Sequence, residues 1–194
     1  MEKVKYYSQF GEDKYLNENC KLPEKGVFVD VGAGGLSNSN SWFFEQKGWY
    51  CLCIEPDDRY FGLNKRKLID RSIIGDKNRD EVDFVFHRHP QLNGLYNDKA
   101  TAVKLPMFTL DTVLKNHKIT NIDVLSIDVE GNEFNVLLGL SIDKHRPKYI
   151  IIEYSNQFKK NNKDEIVKYL GKYNYKMIVT TQSNLIMEAQ NEKS

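Results

Sequence analysis

Short apolar runs that close on an acidic residue recur along this chain, and they constrain its fold more than any other feature. Val27–Val31 carries Asp30 just ahead of a glycine cluster. Tyr50–Ile54 is followed by Glu55, the run 72–74 by Asp76, Val124–Ile127 by Asp128 and Glu130, and the run 149–152 by Glu153. Their brevity and β-branched content mark buried strands. Between them lie stretches with helical patterning: 39–47, capped by Ser39 or Ser41 and stopped by Gly48; 57–67, started by Asp57 or Asp58; 109–117, capped by Thr109 or Asp111; 132–140; and 164–173. Strands alternating with helices imply a mostly parallel sheet covered on both faces. Near the end, 177–181 and 185–188 flank Ser183 and Asn184, a turn suited to an antiparallel closing pair.

With 194 residues the chain fits a single domain, 1–194, able to bury roughly 70% of its unfolded surface without disulfides. Residues 1–25 read as an N-terminal cap segment, and 87–105, rich in loop-forming residues, as a substrate loop. Lys and Arg total 28 against 27 acids, a balance that offers no footprint for nucleic acid. The basic cluster Lys65, Arg66 and Lys67 reads as a solvated helix face. Cys20, Cys51 and Cys53 form no metal-ligand spacing. No stretch approaches the ~18 apolar residues of a membrane span, so the expected compartment is the cytoplasm.

In open parallel sheets, ligands bind beyond the carboxyl ends of the strands, where these acids fall. The segment VDVGAGG (29–35) lacks the third glycine of the dinucleotide fingerprint, and Asp30 would repel a pyrophosphate. A cofactor with an ammonium tail and no phosphate, such as S-adenosylmethionine, suits it better. Glu55 can accept both hydroxyls of a ribose diol.

The stretches SQFGEDKYL (8–16), FVDVGAGG (28–35), SNSWFFEQKGW (39–49), CIEPDDRYFGL (53–63), FTLDTVL (108–114), IDVLSIDVEGNEFNVLLGL (122–140) and YIIIEY (149–154) resemble the FkbM family of methyltransferases. The resemblance implies a Rossmann-like class I methyltransferase fold, with a mostly parallel seven-stranded sheet and an antiparallel closing strand. It also implies an S-adenosylmethionine-dependent O-methyltransferase acting on a sugar, polysaccharide or other hydroxylated metabolite. Asp30, Gly32, Glu55 and Asp128 carry over as cofactor positions. Gly34 and Asp76 join them from the strand ends, and Gln9 from the N-terminal motif, which folds over the cofactor as a lid or packs as a capping turn. Beyond Gly34 the loop is one residue shorter than the family pattern.

The acceptor's proton needs a base. His87 and His89 lie in the irregular middle segment, and Pro90 restricts His89 to extended conformations, so His89 is preferred to His87, with Asp128 next. His117 and His145 read as surface residues. Asp128, Glu130 and Glu153 would suit a hard divalent cation. The favoured expectation is no metal, with Asp128 at the transfer centre and Glu130 capping the next helix. Two rival readings stay open: an NAD(P)-dependent oxidoreductase on a Rossmann sheet, and a cofactor-binding domain without turnover.

Overall fold

The computed structural model describes residues 4–88, 93–95, 102–154 and 162–191. In chain order the elements are α1 (Glu12–Asn19), β1 (Val27–Val31), α2 (Trp42–Gln46), β2 (Tyr50–Ile54), β3 (Ile69–Asp70), β4 (Ile73–Ile74), β5 (Arg79–Phe84), β6 (Val103–Phe108), α3 (Leu110–Asn116), β7 (Val124–Ile127), α4 (Glu133–Leu138), α5 (Ile142–His145), β8 (Tyr149–Glu153), α6 (Lys163–Gly171), β9 (Tyr175–Thr180) and β10 (Asn184–Ala189).

Seven strands form the main sheet in the order β3-β2-β1-β7-β8-β10-β9. The strands from β3 to β8 run parallel, and β10 pairs antiparallel with both β8 and β9. This is the mostly parallel seven-stranded sheet with an antiparallel end that the sequence leads one to expect. The order reverses at β1, where the chain crosses from β2 on one side to β7 on the other.

Alternation along the central strands sorts side chains onto two faces. Val29, Val31, Leu125, Ile127, Ile150 and Ile152 pack under α3, α4 and α6. Phe28, Val124, Tyr149 and Ile151 pack against Leu16 of α1 and Phe43 and Phe44 of α2. Local chemistry sets the helix starts: Ser39 Oγ accepts the Trp42 N–H ahead of α2, and Thr109 Oγ1 accepts the Thr112 N–H at α3.

Three expectations change. The segment 57–67 is not a helix but a turn followed by one 3₁₀ turn at Leu63–Lys65, entered through Gly62 at φ 75°. The strand expected over 72–74 is β4, which joins β6 and β5 in a separate three-stranded sheet, and the edge of the main sheet is taken instead by β3 at Ile69–Asp70. His145 is buried, with Nδ1 3.4 Å from the Thr120 carbonyl and Nε2 3.5 Å from Asp111.

Candidate active site

The carboxyl ends of β1, β2 and β7 meet at a cavity of about 350 Å³. The glycine loop after β1 forms its floor. Gly32 has φ 77°, and a Cβ there would stand 1.7 Å from the Asp128 carbonyl oxygen, so only glycine lets β1 and β7 end this close together. The Gly32 and Ala33 amides donate to the Ile54 carbonyl at 2.9 and 3.2 Å, which binds the loop to the end of β2.

Glu55 follows β2 and faces this cavity while only 5% exposed. Its Oε2 accepts the Gly34 N–H at 3.1 Å and its Oε1 accepts the Asp57 N–H at 3.0 Å. Each oxygen therefore keeps acceptor capacity for a ligand. Burial pushes the Glu55 pKa up to about 7, against the two amide bonds that pull it down.

Gln9, Gly32, Gly34, Glu55, Asp128 and Glu130 all line the cavity. Gln9 arrives from outside the sheet: Ser8 bridges to Asn38 beyond the glycine loop, and Asp13 accepts the Tyr7 and Ser8 amides at 2.6 and 3.2 Å. The segment 8–13 is thus folded by its own side chains into a fixed turn.

Other expected residues lie elsewhere. Asp30 shares the Phe28 side of β1, away from Val31 and the cavity. Its carboxylate accepts the Ser41 hydroxyl proton, and Ser41 Oγ in turn accepts Arg66 Nη2–H at 2.6 Å. Burial raises its pKa, opposed by Arg66 and Ser41. Arg66 is no solvated lysine-like charge. Its side chain is 0% exposed and its Nε donates to Glu45 at 2.6 Å. Asp76 pairs with Arg79 at 2.8 Å beside the small sheet, outside the cavity, and Ser72, Ile73 and Ile74 form the wall nearby. His87 is exposed and not on the cavity wall; its carbonyl accepts Arg59 Nη2–H. His89 and much of the expected substrate loop lie outside the described residues. His117 is partly buried, with Nε2 2.7 Å from Asp70.

Sequence reasoning missed several neighbours. Tyr60 lines the cavity; burial and the carboxylates of Glu55, Glu130, Asp128 and Asp57 raise its pKa, so it remains a phenol and a hydrogen-bond donor. Glu130 was expected to cap α4, but it is Glu133 Oε1 that accepts the Val129 and Gly131 amides, at 3.2 and 2.8 Å. Glu133 also replaces Glu130 in the acidic group: oxygens of Asp128, Glu133 and Glu153 lie within 4.8 Å of one another. The spacing D-x-E-G-x-E offers both glutamates, and the chain turns between them through a left-handed backbone at Glu130, φ 56°.

The model of the methyltransferase FkbM domain matches residues 30–177, most of the chain. The chain belongs to the FkbM methyltransferase family. Neither curated proteins nor solved structures gave a match. The cavity of this FkbM methyltransferase therefore lies within the matched span except for Gln9, which the N-terminal turn supplies. Among the described residues no helix is long and apolar enough to cross a membrane.

Proposed function

We propose that this FkbM protein binds S-adenosylmethionine in the cavity beneath Glu55 and methylates a hydroxyl, on a sugar or polysaccharide acceptor. The observation that carries the reading is the Glu55 carboxylate. It is buried at the end of β2, faces the cavity, and has each oxygen oriented by one backbone amide. That arrangement suits a ribose diol. Glu55, Asp128 and Glu130 make the wall acidic, and Arg59, the one wall arginine among the described residues, is already paired with Asp57 at 2.6 Å. Such a wall favours a sulfonium and an ammonium and disfavours the pyrophosphate of a nicotinamide dinucleotide.

In this reading Gln9, Gly32, Gly34, Glu55 and Asp128 hold the cofactor. Asp30 acts from behind, through Ser41 at the start of α2, and Asp76 is left out of the set. S-adenosylmethionine, when bound, would supply an electrophilic methyl carbon, and the chain's own part would be to align an acceptor hydroxyl and take up its proton. Among the described residues Asp128 is the base of choice, because it stands at the end of β7 inside the cavity. His89 is the alternative, and His87, exposed and off the wall, ranks below both. In this reading no metal takes part, and the Glu133 Oε1 at the acidic group is spent on the Val129 and Gly131 amides; chelation by EDTA is expected to leave turnover intact.

Titration calorimetry tests the cofactor. S-adenosylhomocysteine should bind in the micromolar range and NAD should not, and Glu55→Ala should weaken binding about tenfold or more, the scale of a lost charged hydrogen bond. Binding of NAD without S-adenosylhomocysteine would overturn the reading. Turnover of Asp128→Asn, His89→Ala and His87→Ala then ranks the bases, with a loss of about 10²–10⁴-fold marking the true one.

A further inference from the structure

Asp57 belongs to neither the cavity wall nor the expected set of site residues, yet it joins the two sides of the cavity. It is 1% exposed. Its own N–H donates to Glu55 Oε1 at 3.0 Å. Its carboxylate accepts Arg59 Nε–H at 2.9 Å and Asn93 Nδ2–H at 2.6 Å.

Both of those donors reach the segment that follows β5. Arg59 Nη2 donates to the His87 carbonyl at 2.7 Å, and Asn93 Oδ1 accepts the His87 N–H at 2.8 Å. Val85 and Gly94 exchange backbone bonds at 3.0 and 3.3 Å, so 85 and 94 are held as a pair. Phe84, Asn93, Gly94 and Leu95 form the cavity wall on this side, facing the glycine loop. Asp57 therefore ties the Glu55 side, through its amide, to the β5 side, through its carboxylate. Burial works to raise its pKa, and the Arg59 and Asn93 hydrogen bonds overcome this and hold the group ionised, below the usual carboxylate range.

We propose that Asp57 is a positioning residue that couples the cofactor side of the cavity to the wall formed by Phe84, Asn93, Gly94 and Leu95, so that filling the Glu55 site orders the surface against which the acceptor lies. This rests on the proposed function, because it takes the occupant of the Glu55 site to be the cofactor. The physical basis is direct. A ligand bonded to Glu55 restrains the carboxylate that holds the Asp57 amide, and through Asp57 it restrains Arg59 and Asn93 and the backbone at His87 that both of them hold. The acceptor then meets a wall already in place, which lowers its ordering cost.

Hydrogen exchange with S-adenosylhomocysteine as the probe tests this on the full chain. At about a hundredfold excess over Kd, exchange at the Gly32 and Gly34 amides and at the Val85 and Gly94 amides should slow on the order of tenfold or more. In Asp57→Asn, which keeps the backbone amide and the volume, protection of Gly32 and Gly34 should persist while that of Val85 and Gly94 is lost. Should Asp57→Asn fail to fold, Arg59→Ala cuts the tie to His87 from an exposed side chain and should halve or abolish the protection at Val85 and Gly94. Protection confined to Gly32 and Gly34 in the wild type, or equal protection of Val85 and Gly94 in the variants, overturns the coupling and leaves the cofactor reading standing. No protection anywhere removes both. A role in stability alone would lower protection with and without ligand alike and would not abolish the ligand-dependent part.

Discussion

A carboxylate receives a diol well only while it is ionised, and Glu55 sits where ionisation is costly. Burial raises its pKa to about 7, so near neutral pH the empty site holds a mixed population. The sign for folding follows from the raised value: relative to the unfolded chain, Glu55 favours the fold most below the ordinary glutamate range and loses that contribution as pH rises through about 7. Binding runs the other way. A diol that donates to the carboxylate, near a cationic tail, favours the charged form and lowers the pKa. S-adenosylhomocysteine affinity should therefore strengthen between about pH 6 and pH 8, with proton release on binding near the middle of that range. Calorimetry in two buffers of different ionisation enthalpy reads the released proton. Glu55→Gln should bind more weakly and lose the pH dependence; a wild-type affinity flat across this range would mean that Glu55 does not titrate against the ligand.

Elements were legible where periodicity is strong and obscure where a long-range contact overrides it. The central strands, α3 with its Thr109 cap and the β9–β10 pair all fall where apolar runs and turn residues put them. The stretch 57–67 does not. Its charges resemble a helix face, but Arg66 turns inward to Glu45, which lies 21 residues back on α2, and to Ser41 beside Asp30. No local pattern signals such a partner. The buried triad fastens the 3₁₀ turn to α2 and sets where Tyr60 and Phe61 meet the glycine loop: the Leu36 N–H donates to the Phe61 carbonyl at 3.0 Å. Arg66→Met keeps the stem and removes the charge, leaving Asp30 and Glu45 buried without their cation. Urea unfolding should show a loss of about 3–5 kcal/mol. Arg66→Met with Glu45→Leu should recover part of it, since an apolar pair leaves only Asp30 exposed to the loss. A single variant near wild-type stability would mean that Arg66 gives the turn nothing it needs.

At the scale of the molecule, the strand-end acids were readable from sequence because a parallel sheet brings every strand's carboxyl end to one edge. Which of them enter the cavity was not, because that depends on face: Asp30 and Glu55 both sit near strand ends, and one residue of alternation sends Asp30 to the α2 side. The N-terminal motif was equally open, as lid or as cap. The structure ties it to the opposite end of the sheet. Glu12 is fully buried; its Oε1 accepts Thr181 Oγ1–H at 3.0 Å and Asn184 Nδ2–H at 2.8 Å, and its Oε2 accepts the Phe10 N–H at 3.0 Å. Asn184 lies opposite Glu153 across the β10–β8 pair. The turn that carries Gln9 into the cavity is thus anchored on the antiparallel end of the sheet, more than one strand away from the glycine loop. Glu12→Ala leaves the buried Asn184 amide without this acceptor, at a cost of about 1–3 kcal/mol. It should lower the melting temperature, and S-adenosylhomocysteine affinity should fall with it, because Gln9 loses its fixed approach. Gln9→Ala should reproduce the affinity loss without the stability loss, since Gln9 is exposed. Thermal melts and calorimetry on both variants separate the two effects. If Glu12→Ala loses stability while binding is unchanged in both, the N-terminal turn is packing for the sheet end alone, and Gln9 leaves the cofactor site.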